Sequence, residues 1–145
     1  MSAGTADGTA GGGGAQVGVV LVSHSGPVAE SVATMAIGLA GGATTPVAAA
    51  GGTPDGGLGT SAELITKAAR TVDRGAGVAI LVDLGSAVLT VKALIAEGDE
   101  LPAGSRLVDA PFVEGAVAAV VTAAAGADLA AVTAAAEEAY GYRKE

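Results

Sequence analysis

Residues 17–22 read VGVVLV and residues 78–83 read VAILVD. Both runs are apolar at odd and even positions alike, so neither can turn one face to water as a strand of an open antiparallel sheet does. Such a strand is covered on both sides, the situation of a parallel sheet held between layers of helices. The first run ends in Ser-His-Ser-Gly-Pro. Pro27 suits the first turn of a helix capped by Ser25 or Gly26, with Val28, Val32, Met35, Ile37 and Leu39 as its expected apolar stripe and Gly41-Gly42 as its stop.

The pattern repeats along the chain. PVAAA at 46–50 is expected to be a short second strand, GGTPDGGLGT a Gly-rich connection, and SAELITKAARTVDR a helix capped by Ser61 or Thr60. The third strand ends in Asp83, and DLGSA leads into a helix from about Ser86 to Glu97. A fourth strand is expected around Arg106 to Ala110, and Glu114 opens an Ala-rich helical region broken near Gly126 and resumed at Asp128. Strands and helices alternating at such short spacing imply right-handed βαβ crossovers. The expected fold is therefore α/β, a small doubly wound parallel sheet of about four strands with helices on both faces. Ligands of such sheets bind at the carboxyl ends of the strands, where connections leave for opposite faces. The informative loops are SHSGP, GGTPDGGLGT, DLGSA and APFVEG.

With 145 residues the chain has room for one domain with a real core. Residues 1–15 are almost entirely Gly, Ala, Ser and Thr, which cannot bury enough surface to offset ordering entropy, so a disordered tail is expected there and the folded domain at 16–145. Aromatics are only 2% of the chain, so the core must be built from Val, Leu, Ile and Ala in thin, closely packed layers. The absence of cysteine removes disulfides and thiolate metal sites and suits the cytoplasm, as does a start without the basic and apolar segments of a signal peptide. A net charge of −8 argues against nucleic acid and anionic membranes and favours a basic protein partner. The uncharged stretch from Ser31 to Pro54 is interrupted by Gly41-Gly42 and Pro46, which argues against a membrane span.

The chain's single histidine, His24, ends the first strand just before a helix N-terminus. An imidazole there is a nucleophile working at neutral pH beside backbone N–H groups that suit an anion, so it can carry a phosphoryl group. Asp83 ends the third strand, which can neighbour the first; its carboxylate would either fix the imidazole tautomer or serve as an ordinary loop or cap acceptor. Ser25, Gly85, Ser86 and Thr60 offer hydroxyls and N–H groups near where a phosphoryl group would lie, and helix capping explains them equally well. Three other motifs fail. GGTPDGGLGTS lacks the lysine of a P-loop, GLGTSA does not follow its strand in the tight turn of a dinucleotide site, and no G-x-S-x-G elbow surrounds Ser23 or Ser25. A metal site is not expected, since His24 has no second soft ligand.

VGVVLVSHS, GTSAELI, LVDLGSA and APFVEGAVAA, in this order, resemble the mannose-type enzyme IIA family of the phosphoenolpyruvate:sugar phosphotransferase system (PTS). Within it they are most similar to the phosphotransferase subunits of phosphoenolpyruvate-dependent dihydroxyacetone kinases. The resemblance covers about residues 16–140 and implies a phosphoryl relay. His24 would accept a phosphoryl group from the phosphocarrier protein HPr, with Asp83 as orienting partner and Gly85 and Ser86 as neighbours of the group. It would then pass the group to ADP held on a nucleotide-binding kinase subunit, and the regenerated ATP would phosphorylate dihydroxyacetone on a substrate-binding subunit. No cofactor is then expected on this chain itself. The resemblance further implies a cytoplasmic homodimer; some members append HPr-like and enzyme I-like domains, for which this sequence is too short. Two alternatives stand beside it: a sugar-specific IIA domain donating to a IIB domain, and a regulatory module whose partner affinity is switched by phosphorylation of His24. The strand-end loops contain no lysine or arginine, which favours a carrier over an enzyme that binds nucleotide itself.

Overall fold

The computed structural model describes residues 15–42 and 44–145. All of the expected N-terminal tail except Ala15 lies outside the described residues. The chain alternates β1 (Gly18–Ser23), α1 (Gly26–Leu39), β2 (Val47–Gly51), α2 (Ala62–Val72), β3 (Val78–Val82), α3 (Gly85–Glu97), β4 (Ser105–Val108), α4 (Phe112–Ala124) and α5 (Leu129–Glu138), then a short 3-10 turn at Ala139–Gly141. The four strands form one sheet in the order β2-β1-β3-β4, and every pairing is parallel.

The two-residue period of the strands divides the core into two layers. Val19 and Leu21 of β1 with Ala79 and Leu81 of β3 face α1, α4 and α5. Val20 and Val22 with Val78, Ile80 and Val82 face α2 and α3. All five residues of β3 and all six of β1 are buried, as strands covered on both faces must be. Small residues keep the layers thin: a Cβ on Gly18 would stand 2.4 Å from the carbonyl oxygen of Val72, so β1 and the end of α2 approach to backbone distance only because Gly18 lacks one.

The expected stripe of α1 is corrected in part. Val32 is buried, but Val28, Met35 and Leu39 are exposed, and the helix packs instead through Ala29, Val32, Ala33 and Ala36. An alanine face lets α1 lie close on β2 and α4, whereas the longer side chains would hold the layers apart. Other boundaries move slightly. α3 begins at Gly85, β4 ends at Val108, and α4 begins at Phe112 after Pro111, two residues before Glu114.

β1 and β3 are neighbours, yet the chain leaves β1 for α1 on one face and β3 for α3 on the other. This is the switch point of the sheet, and it opens a crevice at the carboxyl ends of those two strands.

Candidate functional site

Register brings the first and third strand ends together. Val22 pairs with Val82, and the Asp83 N–H donates to the Val22 carbonyl at 3.1 Å. Ser23 and His24 therefore meet Asp83 across the switch point. The Asp83 carboxylate accepts four hydrogen bonds, two on each oxygen. The Ser23 hydroxyl (2.9 Å) and the His24 backbone N–H (3.0 Å) donate to Oδ2, and His24 Nδ1 (2.9 Å) and the Leu84 N–H (2.7 Å) donate to Oδ1. Burial pushes this carboxyl up, but the four donors together outweigh it and hold its pKa below the usual aspartate value.

An ionised carboxylate has no proton to give, so the Nδ1 facing it carries the hydrogen. The free lone pair of the ring is then on Nε2, which lies against the Ser86 hydroxyl. Ser86 stands at the start of α3, whose N-cap, Leu84, offers no side-chain acceptor. Among the described residues nothing accepts from the Gly85 and Ser86 N–H groups, so the positive end of the helix is open beside Nε2. The imidazole side chain is 24% exposed and its carboxylate partner 16%. The nitrogen that can attack is thus in reach of solvent while the carboxylate that orients the ring is shielded.

The other expected neighbours are placed differently. The Ser25 hydroxyl caps α1 by accepting from the Val28 N–H at 3.3 Å. Thr60 does not touch His24; its hydroxyl pairs with that of Thr90 at 3.2 Å, and Thr90 in turn donates to the Ser86 carbonyl at 3.2 Å. The Gly-rich loop also reaches the histidine through its backbone, since the Gly59 N–H donates to the His24 carbonyl at 2.9 Å. Gly51 makes room for this close packing, because a Cβ there would lie 2.4 Å from the Ser25 carbonyl oxygen.

Sequence reasoning missed Ser23 and Thr90. Ser23 is 1% exposed, donates to Asp83, and accepts from the Ser25 N–H at 3.0 Å, so it ties the strand end to the carboxylate. Its signal was available: a buried polar residue closing an apolar strand needs a partner. Thr90 is four residues after Ser86, one turn along the expected helix, but its pairing with Thr60 joins segments thirty residues apart and is set by the packing of the Gly-rich loop on α3.

The family model for EIIA-man, described as PTS system fructose IIA component, matches residues 18–133, a span that contains every one of these site residues. The chain belongs to the EIIA-man family. Among the relatives of this EIIA-man domain is the phosphoryl donor subunit DhaM of PEP-dependent dihydroxyacetone kinase 2 from Listeria innocua serovar 6a, 37% identical over 106 residues that cover 72% of this chain and 84% of that one. The corresponding DhaM subunit of Escherichia coli strain K12 is 37% identical over 116 residues, 78% of this chain but only 25% of its own length. The match thus spans 84% of one curated relative and about a quarter of the other, and the chain is a DhaM-type member of the EIIA-man family. A solved structure of a protein of unknown function superposes with a TM-score of 0.75 at 32% identity, covering 90% of this chain and 98% of that one. The sigma-54 interaction domain protein from Enterococcus faecalis, at 19% identity and a TM-score of 0.65 over 88% of this chain and 92% of its own, shares the fold. No described helix is long and apolar enough to cross a membrane.

Proposed function

We propose that this chain is the phosphoryl-carrying subunit of a phosphoenolpyruvate-dependent dihydroxyacetone kinase and that His24 is the residue that carries the group. The observation behind this reading is the fixed tautomer: Asp83 holds Nδ1, and Nε2 points its lone pair at the open start of α3. Relatives named as DhaM phosphoryl donor subunits support the same assignment.

In the proposed cycle Nε2 attacks the phosphorus of phospho-HPr. A new P–N bond forms as the donor's P–N bond breaks, and the donor histidine leaves with its electron pair. The Nδ1 proton stays on the ring, and Asp83 stabilises the positive charge that the phosphorylated ring acquires. The Gly85 and Ser86 N–H groups and the Ser86 hydroxyl meet the phosphoryl oxygens. A terminal oxygen of ADP, held by the nucleotide-binding kinase subunit, then attacks in line; the P–N bond breaks and the electron pair returns to Nε2. ATP forms on that subunit and phosphorylates dihydroxyacetone on the substrate-binding subunit, so this chain needs no cofactor of its own. Neutral and backbone donors suit a carrier, because a lysine or arginine clamp would hold the group too firmly for onward transfer. The reading also assigns the chain to the cytoplasm as a homodimer, for which exposed Met35 and Leu39 of α1 and Val113 and Val121 of α4 offer apolar surface.

The test is intact-mass spectrometry under non-acidic conditions after incubation with phosphoenolpyruvate, enzyme I and HPr. One phosphoryl group is expected on the wild-type chain and none on His24→Ala. The group should leave when the ADP-loaded kinase subunit is added. Labelling of His24→Ala would overturn the assignment of the residue, and a group that forms but is not removed by that subunit would overturn the assignment of the acceptor.

A further inference from the structure

Behind the catalytic loop, between α3 and the end of β4, lies a cavity of about 460 Å³, within the size range of small-molecule sites. One wall is formed by Asp83, Leu84 and Gly85, which lead into α3, with the Asp83 carboxylate already engaged by its four donors. Val82, Val88 and Leu107 give it an apolar lining. Gly85, Val88 and Lys92 recur at helical spacing, so α3 lays one edge along the cavity and carries a lysine at its far end. Across from it are Asp109, just past β4, and Tyr140 of the terminal 3-10 turn.

The polar groups are complementary in a way that defines a ligand. Among the described residues Lys92 has no hydrogen bond or ion pair, so its ammonium is available to an anion. Tyr140 gives its hydroxyl hydrogen to Asp109 at 2.7 Å, and that bond holds the phenol protonated by raising its pKa. With its one hydrogen committed, the Tyr140 oxygen is left as an acceptor, and the Asp109 carboxylate can only accept. A ligand spanning the cavity must therefore bring negative charge to one end and hydroxyl donors to the other. Its carbon skeleton would rest on the valines and leucine.

We propose that this cavity is a binding site for a small hydroxylated anion, a sugar-like phosphate ester or hydroxy acid, separate from the phosphoryl site of His24. The two sites adjoin through Asp83, Leu84 and Gly85, all of which line the cavity, so the bound molecule would touch the segment that supplies N–H groups to the phosphoryl oxygens.

The experiment is a titration of the unphosphorylated, ¹⁵N-labelled chain followed by ¹H–¹⁵N spectra, with glycerol 3-phosphate, inorganic phosphate and glycerol as separate probes. Glycerol 3-phosphate should give saturable shifts at Gly85, Val88, Lys92, Asp109 and Tyr140 in the millimolar range or below. Phosphate and glycerol, each offering half of the recognition, should bind at least about tenfold more weakly, and Lys92→Gln should weaken glycerol 3-phosphate by a similar factor, the size expected for one charge-assisted hydrogen bond. Tyr140→Phe should weaken it less. No saturable shift with any probe, shifts centred on His24 and Ser86, or an unchanged affinity in Lys92→Gln would each overturn the proposal. His24→Ala should bind like the wild type, so this outcome stands apart from the fate of the relay.

Discussion

Replacing Asp83 with asparagine tests the tautomer argument directly. Both carboxylate oxygens each accept from two donors. An asparagine has one acceptor oxygen and one donor NH₂, so whichever way the amide turns, one pair of donors faces another donor. If the NH₂ faces the imidazole, Nδ1 must become the acceptor, the hydrogen moves to Nε2, and the nitrogen that should attack loses its lone pair. If it faces Ser23 and the His24 backbone, the tautomer survives but the negative charge that in the proposed relay stabilises the phosphorylated ring is gone. Two unit charges about 4 Å apart interact by about 4 kcal/mol at an effective dielectric of about 20. Partial exposure of His24 and Asp83 halves this to about 2 kcal/mol at the lower end. Asp83→Asn should therefore accept phosphoryl groups from phospho-HPr about 30- to 700-fold more slowly, each factor of ten corresponding to about 1.4 kcal/mol. The assay is rapid-quench labelling with radioactive phosphoenolpyruvate in the presence of enzyme I and HPr, with thermal unfolding as a check that the sheet remains intact. A folded variant labelled within threefold of the wild-type rate would refute the reasoning.

Four further outcomes follow from the same geometry. Ser86→Ala removes the hydroxyl beside Nε2 but keeps the helix N–H groups, so labelling should persist at a rate reduced by about tenfold, the worth of one hydrogen bond of about 1.4 kcal/mol, in the same quench assay. Gly51→Ala drives a Cβ into the Ser25 carbonyl; stability should fall by about 1–3 kcal/mol in urea unfolding, and labelling should slow because the shift is delivered to the loop of His24. Leu81→Ala, at a fully buried position, should cost about 2–5 kcal/mol in the same unfolding experiment and, where the chain remains folded, leave the labelling rate close to normal. The depressed pKa of Asp83 also sets a pH dependence. Its contribution to stability is present above its ordinary value of 3.8 and is lost as pH falls through the lower folded value, so acid unfolding of Asp83→Asn should show a shallower loss of stability in that window than the wild type.

The fold was legible because the signal was a consequence of burial. VGVVLV and VAILV are apolar on both alternations since helices cover both sides of β1 and β3, and the helical stretches alternating with them in sequence point to the parallel sheet. The stripe of α1 was not legible for the same physical reason read backwards. Size and hydropathy point to the larger apolar residues as the packed face, yet in a thin alanine-built layer it is Ala29, Ala33 and Ala36 that go inside and Met35 and Leu39 that are left out. Hydrophobicity marks what can be buried, while the spacing between layers decides what is.

At the site the same distinction separates what residue type could reveal from what only register could. His24 and Asp83 could be named from their places at two strand ends, because in a doubly wound sheet those ends converge. That they meet through two hydrogen bonds, one from the His24 backbone N–H and one from Nδ1, depends on the pairing of Val22 with Val82, which no local pattern encodes. Thr60 shows the limit most clearly. It was expected near the phosphoryl group because it closes a Gly-rich loop, and the loop does reach His24, but it does so through the Gly59 N–H while Thr60 turns to Thr90. The loop is therefore braced against α3 by side chains and against His24 by backbone. A brace of that kind links the Ser86 carbonyl to the histidine's own carbonyl, so in the proposed relay a change at Thr90 should slow labelling in the quench assay by altering how well the phosphoryl oxygens are met, while leaving the contact of His24 Nδ1 with Asp83 in place.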